Sequence, residues 1–191
     1  MRITGGQYRG RNLRTPKSGV RPTQDMVRQA VFNILMSRIP DARVLDLYAG
    51  SGAIGLEALS RGAAEATWVE RDRKTLAILR ANAELIDSHT SRIVADDAIR
   101  FLRRATDRPP YDIIYADPPY TDARAGEQDP LTDLLELIRT GQVLANDGIF
   151  VYESAGGRRA SKEEPPEGWQ TITDREYGRT RIRAFALADN D

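Results

Sequence analysis

Two short stretches of the sequence combine residue types that could carry out chemistry, and the more specific one is Asp117-Pro118-Pro119-Tyr120. Prolines fix the backbone and supply carbonyl oxygens without N–H donors, so this stretch offers hydrogen-bond acceptors beside an aromatic ring. We predict that it holds an amino group on an aromatic heterocycle. The heterocycle would stack on Tyr120, while Asp117 and the Pro118 carbonyl accept its N–H groups. The alternative is a turn that only ends a strand.

An acceptor cluster of this kind meets a specific chemical need. The exocyclic amine of a nucleobase is a poor nucleophile because its lone pair is delocalised into the ring. Acceptors aimed at its N–H groups stabilise the positive charge that develops during attack. If the electrophile is already reactive, such as a methylsulfonium, positioning supplies much of the remaining rate enhancement. Such a reaction needs no histidine base, metal or thiol, which agrees with one histidine, His89, and no cysteine.

The second stretch is a glycine-rich turn in which Gly50, Gly52 and Gly55 fit the pattern G-x-G-x-x-G. Glycine allows a tight turn and a close approach of the backbone to a bound nucleotide. The apolar run before the turn contains Asp46, and a second apolar run ends at Glu70, twenty positions after Gly50. An acid at the end of the second strand of a βαβ unit is placed to accept ribose hydroxyls. The sequence therefore predicts a nucleotide-cofactor site.

An alternation of strands and helices must position these two stretches. Strands are expected near residues 43–48, 66–70, 91–95, 112–116 and 148–153, and helices near 53–62, 73–86, 97–105 and 130–140. Two later apolar runs, 169–173 and 181–187, flank a glycine turn and predict an antiparallel hairpin. We predict an α/β, Rossmann-like sheet, mostly parallel with an antiparallel C-terminal hairpin, whose ligands bind at the carboxyl ends of its strands.

Basic residues are concentrated at the N-terminus, although the chain as a whole has 28 basic and 28 acidic residues. Residues 1–40 hold eight basic residues and one acidic residue, a net charge of +7, so the remainder carries −7. We predict a basic arm or hairpin and helix over residues 1–40 that binds nucleic acid, and one catalytic domain over residues 41–191. A solvated tail is the alternative for the arm.

The predicted N-terminal helix begins near Pro22, with Thr23 as a candidate cap, and carries an apolar stripe from Val27 to Leu35. Arg28 lies off that stripe, so we expect it to face solvent or substrate. No apolar run reaches the length of a membrane span, and the N-terminus lacks the apolar core of a signal peptide. We expect a cytoplasmic protein, and since nothing in the sequence demands a dimer, a monomer.

The ordered motifs resemble those of class I S-adenosylmethionine-dependent methyltransferases, and the Asp-Pro-Pro-Tyr form is similar to that of enzymes acting on nucleobase amines. These motifs are Asp46-Leu47-Tyr48-Ala49-Gly50-Ser51-Gly52, Glu70, Asp97-Ala98 and Asp117-Pro118-Pro119-Tyr120. Three further stretches, at residues 5–11, 21–35 and 56–63, resemble the bacterial 16S ribosomal RNA guanine-N2 methyltransferase family. The likeness runs from the N-terminus through Tyr120.

The resemblance implies a role for each matching residue. The cofactor S-adenosylmethionine would be bound through its methionine moiety, its ribose and its adenine by Asp46, Tyr48, Ala49, Gly50, Ser51, Gly52, Glu70, Arg71, Asp97, Ala98 and Asp117. Within this set, Glu70 would bind the ribose hydroxyls, and Asp97, or its neighbour Asp96, would accept from the adenine amine. The guanine amine would be held by Asp117, Pro118, Pro119 and Tyr120. Contacts that reach the RNA are assigned to Arg2, Tyr8, Arg9, Arg11, Arg21, Thr23 and Arg28. The last three of these would either reach the RNA or close the cofactor side of the site.

We therefore expect methyl transfer to N2 of a guanine in small-subunit ribosomal RNA, free or within an assembly intermediate, with S-adenosylhomocysteine as the product. Three alternatives stay open: an adenine-N6 methyltransferase on DNA or RNA, a nicotinamide-dependent oxidoreductase, and a non-catalytic RNA-binding or ribosome assembly protein. The polar stretch Thr121–Asp129 after the acceptor cluster is either a mobile flap over the target base or an ordinary connection.

Overall fold

The computed structural model describes residues 1–16, 22–86, 91–105, 109–119, 129–156 and 164–188, without the side chains of residues 22–24. Four residues that the predictions name, Arg21, His89, Tyr120 and Thr121, lie outside the described residues, as does the rest of the predicted flap before Asp129. The cap predicted at Thr23 likewise concerns a side chain that is not described.

Seven strands form one sheet within the described part of the chain, in the order β3-β2-β1-β4-β5-β7-β6. The strands are β1 Arg43–Leu47, β2 Glu65–Glu70, β3 Arg92–Ala95, β4 Tyr111–Ala116, β5 Leu144–Ala155, β6 Trp169–Tyr177 and β7 Thr180–Leu187. β1 to β5 pair in parallel, whereas β7 pairs antiparallel to both β5 and β6. This arrangement confirms the predicted mostly parallel sheet with an antiparallel C-terminal hairpin.

The helices connect the parallel strands as the alternation predicts. They are α1 Pro22–Leu35, α2 Ala53–Ser60, α3 Arg73–Ala83, α4 Ala98–Leu102 and α5 Leu131–Thr140, with a short 3-10 turn at Met36–Arg38. α3 begins where an aspartate predicts a start, because the Asp72 carboxylate accepts from the N–H of Thr75 at 2.7 Å. α4 is shorter than expected and ends at Leu102.

One strand begins earlier than the sequence predicts. β5 starts at Leu144 rather than near residue 148, although residues 145–148 read as a turn. Its register against β4 shifts there: Tyr111 pairs with Leu144, but Ile113 already pairs with Ile149. A bulge thus absorbs the turn-forming residues inside the strand.

Two apolar layers cover the two faces of the sheet. Helices α1, α2 and α3 pack on one face, where the buried residues include Val31, Phe32, Leu56, Leu79, Val44, Trp68 and Val151. Helices α4 and α5 pack on the other face, where the buried residues include Phe101, Leu134, Ile138, Leu45, Ile114 and Phe150. Both faces are therefore buried, which explains why the parallel strands are apolar nearly throughout.

Residues 1–16, predicted as a basic arm or hairpin, pack against the body of the protein. Ile3 and Leu13 are buried in the same cluster as α2 and α3, and an antiparallel bridge joins Arg2 to Asn12. The carboxylate of Glu57, itself 1% exposed, accepts from the N–H groups of Thr4 at 2.8 Å and Gly5 at 2.7 Å. A buried acid on α2 thus holds the N-terminal segment against the sheet. None of the helices within the described residues is long and apolar enough to cross a bilayer.

Candidate active site

The carboxyl ends of the parallel strands meet at one edge of the sheet, and two adjoining cavities open there. The strand order reverses between β1 and β4, and such a switch point is where α/β sheets bind ligands. The first cavity, of about 260 Å³, is lined by Arg28, Asp46, Tyr115, Asp117 and Glu153 among others. The second, of about 370 Å³, is lined by residues including Glu70, Arg71, Asp96, Ala98 and Pro119. Tyr48, Gly50 and Asp117 line both, so the two cavities form one cleft.

The glycine-rich turn is held open at the centre of this cleft. Tyr48 has a φ of 59°, which is uncommon for a residue with a side chain and costs about 1–3 kcal/mol. Gly50 has a φ of 56°, and a side chain built there would meet nothing closer than 3.9 Å. Packing therefore does not explain the glycine at this position. The open space in front of its backbone is suited to the close approach of a ligand.

Glu70 connects this turn to the start of α3. Its carboxylate accepts from the N–H of Gly50 at 2.9 Å and from the N–H of Asp72 at 2.7 Å. The predicted ribose-binding acid thus lies at the carboxyl end of β2, where the spacing places it, and borders the second cavity. These two backbone donors fix its carboxylate before any ligand binds.

Packing within the fold explains the two remaining glycines of the pattern. Gly52 has a φ of 80°, and a side chain there would lie 2.2 Å from Cδ1 of Leu79. A side chain at Gly55 would lie 2.3 Å from Nε1 of Trp68, so only glycine lets α2 pack on β2. The N–H of Gly55 also donates to Asp46 at 3.1 Å. Asp46 is 1% exposed, and this burial raises the pKa of its carboxyl well above the usual range, although the Gly55 N–H opposes the shift.

The predicted adenine-binding residues lie at the end of β3. Asp97 caps α4, because its Oδ1 accepts from the N–H groups of Ile99 and Arg100. Its Oδ2 lies 3.3 Å from Nη1 of Arg71, which is two-thirds exposed. Asp96 pairs with Arg100 at 2.5 Å and borders the second cavity together with Ala98. Both acids therefore lie at the correct strand end, one at the helix cap and one at the cavity wall.

The acceptor cluster occupies the end of β4. Asp117 borders both cavities, and Pro119 borders the second, whereas Pro118 is buried. The Asp117 side chain is accessible from the cleft, but the surrounding protein limits its hydration. This loss of hydration is the largest cause that raises the pKa of Asp117, and the nearby Glu153 carboxyl raises it further.

Sequence reasoning missed Glu153 and Tyr115, which share the first cavity with Asp117. Glu153 lies on β5, and its Oε2 accepts from the hydroxyl of Tyr115 on β4 at 2.5 Å. Burial raises the pKa of Glu153, and the Tyr115 hydroxyl opposes that shift. The signal that could have found Glu153 is its position: an acid directly follows β4, and another lies near the carboxyl end of β5.

Arg28, which was expected to face solvent or substrate, is buried beside the first cavity. It is 4% exposed rather than facing solvent, and its Nη2 donates to the Arg2 carbonyl and to Asp25 at 3.0 Å. Its Nε lies 3.7 Å from Glu57 and has no hydrogen-bond partner within the described part of the chain. These two acids draw the guanidinium inward, so of the two environments expected for Arg28, solvent or substrate, the structure excludes solvent. Arg28 borders the first cavity instead.

The other predicted RNA-binding residues of the N-terminal segment are available at the surface. Arg2, Arg9 and Arg11 are exposed, and the guanidinium of Arg11 lies 4.6 Å from the ring centre of Tyr8. Arg11 also donates to the carbonyl of Leu85, which ties the segment to the end of α3. No cluster of three or more metal-ligating side chains is found among the residues that the structure describes.

The strand order and the cleft at its switch point define a class I methyltransferase fold. The chain belongs to the family described as Conserved hypothetical protein 95, which matches residues 1–186. It is 41% identical over 155 residues to Ribosomal RNA small subunit methyltransferase D of Escherichia coli (strain K12), covering 81% of this chain and 74% of that protein.

Two further similarities extend over nearly the whole chain. Ribosomal RNA small subunit methyltransferase D of Haemophilus influenzae is 30% identical over 191 residues, covering 97% of this chain and 93% of that protein. The solved structure of yhhF from Escherichia coli superposes with a TM-score of 0.84 at 36% identity, covering 98% of this chain and 97% of that one. The family-level resemblance found in the sequence is confirmed.

Proposed function

We propose that this protein transfers a methyl group from S-adenosylmethionine to N2 of a guanine in small-subunit ribosomal RNA. One observation carries the proposal: the acceptor cluster at the end of β4 opens into the same cleft as the glycine-rich turn, with Asp117 bordering both cavities. A site that joins nucleotide-cofactor recognition to amine recognition through one carboxylate is suited to group transfer between the two.

The residues of the second cavity fit the nucleoside part of the cofactor. Glu70 offers a fixed carboxylate for ribose hydroxyls, and Asp96 or Asp97 offers an acceptor for the adenine amine. The open backbone of Gly50 lies between this cavity and the first, where the methionine moiety would reach Asp46 and Ser51. Arg71 is exposed at the rim and would lie against the adenine.

The proposal of a ribosomal RNA substrate rests on the relatives of the chain and on the positive charge of its surface. Two relatives carry the name Ribosomal RNA small subunit methyltransferase D, which supports ribosomal RNA of the small subunit as the substrate. The exposed arginines of the N-terminal segment supply positive charge for phosphate contacts. A base inside folded RNA must also be unstacked to reach the cleft, which costs a few kcal/mol that such contacts help to offset.

The chain's own residues act on the amine rather than on the methyl group. S-adenosylmethionine supplies an electrophilic methyl group on a sulfonium. Asp117 and the Pro118 carbonyl accept the two N–H groups of N2 and orient its lone pair toward the cofactor side of the cleft. Their negative charge stabilises the positive charge that develops on nitrogen. Tyr120, in the family motif, would stack on the base. Direct transfer from the cofactor to N2 needs no nucleophile on the protein, and the chain has no cysteine thiol that could act as one.

Transfer of a radiolabelled methyl group tests this proposal. Purified protein is incubated with labelled S-adenosylmethionine and with 16S ribosomal RNA, either free or within small subunits, from cells lacking the protein. We expect label in 16S RNA from those cells and none in RNA from cells that contain the protein, whose site is already methylated. Absence of label in both preparations would overturn the proposal. Binding of a nicotinamide cofactor in place of S-adenosylmethionine would identify an oxidoreductase instead.

A further inference from the structure

We propose that Glu153 is a positioning residue of this site: held beside Asp117, its carboxyl group controls whether Asp117 carries a proton. The inference rests on the proposed methyl transfer and adds a residue that the sequence motifs do not contain. Glu153 would not touch the methyl group. It would act through Asp117, the acceptor of the target amine.

Strand register places the two carboxyl groups side by side. Tyr115 pairs with Val151 and Ala116 with Tyr152 at the end of the parallel ladder of β4 and β5. Asp117 directly follows this ladder, and continuing its register by one residue brings Asp117 beside Glu153. Paired residues of neighbouring parallel strands point to the same face. Both side chains accordingly border the first cavity. Tyr115 lies on that face as well, and its hydroxyl fixes one oxygen of Glu153 at 2.5 Å.

The charged groups around Asp117 and Glu153 are mainly negative. Asp46 on β1 faces the same cavity and adds a third carboxyl. Glu70, at the end of β2, adds negative charge on the neighbouring side. Among the described residues, Arg28 from α1 and Met1, which bears the amino group of the first residue, border the cavity. The Arg28 guanidinium already contacts Asp25 and Glu57.

β7 also packs beside Glu153, and it brings no positive charge to the first cavity. The residue opposite Glu153 is the apolar Ile182. Its neighbours Arg181 and Arg183 point to the other face of the sheet by alternation, where they pair with Asp174 and Asp129. With several carboxyls around one cavity, the pair of Asp117 and Glu153 retains a proton more readily than two isolated acids.

A retained proton bears directly on the reaction. During transfer the N2–carbon bond forms as the carbon–sulfur bond breaks, the electron pair stays on sulfur, and the positive charge passes to N2. N2 then loses one proton, and ionised Asp117 is placed to take it. The negative charge of Glu153 makes Asp117 a stronger base, but it also keeps more of Asp117 protonated and inactive at low pH. Glu153 would therefore set the pH at which transfer begins.

The test is the pH profile of single-turnover methyl transfer for Glu153→Gln against the parent protein. Glutamine can still accept from Tyr115, so the hydrogen bond is kept while the charge is lost. We expect the acidic limb to move down by about one pH unit or more, which makes transfer at low pH roughly tenfold faster than in the parent. Glu153→Asp keeps the charge and should keep the parent profile.

Two controls distinguish an effect of Glu153 on Asp117 from a general loss of methyl transfer and from misfolding of the variant. Glu136→Gln makes the same chemical change at an exposed position on α5 and should leave the profile unchanged. A carboxyl ¹³C NMR titration follows Asp117 without any need for activity, and its midpoint should fall in Glu153→Gln.

Coincident pH profiles, or an unchanged Asp117 midpoint in a folded variant, would overturn the role of Glu153 while leaving methyl transfer intact. Failure of the parent protein to methylate RNA would overturn the proposed function instead, and the NMR titration would still decide the coupling between Asp117 and Glu153.

Discussion

The two halves of the cleft use carboxylates in opposite ways. In the proposed cofactor half, Glu70 and Asp97 accept from backbone N–H groups of the turns that they border, so these hydrogen bonds fix the positions of the carboxylates. In the target half, Asp117 and Glu153 stand side by side, and partial loss of hydration raises the pKa of both. The first arrangement is suited to holding a ligand in a fixed position, and the second to a carboxyl group that takes up and releases a proton.

The positions of these acids in the fold account for their different hydrogen-bond partners. The acids of the cofactor half lie at strand-to-helix turns, where free N–H groups of a helix start are at hand. Asp117 follows β4 and Glu153 lies near the end of the neighbouring β5, where the Tyr115 hydroxyl donates to Glu153. The same sheet edge thus offers backbone donors to the acids of one half, whereas Glu153 in the other half accepts from a side chain.

The largest expected effect is that of Asp117→Ala, which removes the shared acceptor of the target half. We expect methyl transfer to fall at least about a hundredfold, because the charge developing on the amine loses its stabilising carboxylate. The affinity for S-adenosylmethionine, measured by calorimetric titration, should change far less. Equal losses of transfer and of cofactor affinity would show that the two halves are not separable.

Glu70→Ala makes the complementary change in the cofactor half. It removes the acceptor of the Gly50 and Asp72 N–H groups together with the predicted ribose contact. A charged hydrogen bond is worth about 2 kcal/mol, so we expect the cofactor Kd to rise roughly thirtyfold. Transfer at saturating cofactor should fall only a few-fold. A large loss at saturation with unchanged Kd would contradict the assignment.

Asp97 allows its two roles to be separated by a matched pair of variants. Asp97→Ala removes the cap of α4 and should lower the free energy of unfolding by about 1 kcal/mol, measured by denaturant titration. Asp97→Asn preserves the cap, so its stability should match the parent. If cofactor affinity falls in both variants, Asp97 contacts the adenine. If it falls in neither, Asp96 becomes the candidate.

The smallest expected effect lies outside the cleft. Arg9→Gln removes one exposed charge of the N-terminal segment and should reduce the slope of RNA affinity against salt concentration by about 1. Arg103→Gln, an exposed arginine following α4, serves as the control and should leave the slope unchanged. Deleting the segment would be uninformative, because Ile3 and Leu13 belong to the core. Equal slopes for the parent, Arg9→Gln and Arg103→Gln would show that Arg9 does not contact the RNA.

The parts of the candidate site that could be predicted are those formed by short contiguous stretches of sequence. The glycine turn, Glu70 and the acceptor cluster follow apolar runs in order, and parallel strands bring their ends to one edge. The sheet and its C-terminal hairpin followed from the same alternation. The predicted reason for one of these glycines was different, however: Gly55 is required because Trp68 packs against it and not because a ligand approaches it.

The features that sequence reasoning missed depend on contacts between distant residues. Glu153 enters the site because β5 lies beside β4 in a particular register, and no local motif encodes that pairing. Arg28 turns inward because Glu57, on another helix, attracts it together with Asp25. The same Glu57 binds residues 4 and 5, so a segment that resembles a charged tail becomes part of the folded core.

The most direct measurement of the central claim is the identity of the methylated nucleoside. Labelled 16S RNA from the transfer reaction is digested to nucleosides, and the labelled product is identified by chromatography with mass spectrometry, for the parent protein and for Asp117→Ala. The account predicts label in N2-methylguanosine with the parent protein and at least about a hundredfold less with the variant. Label in N6-methyladenosine would preserve the chemistry of the cleft but contradict the proposed base, and undiminished label with Asp117→Ala would contradict the account of the site itself.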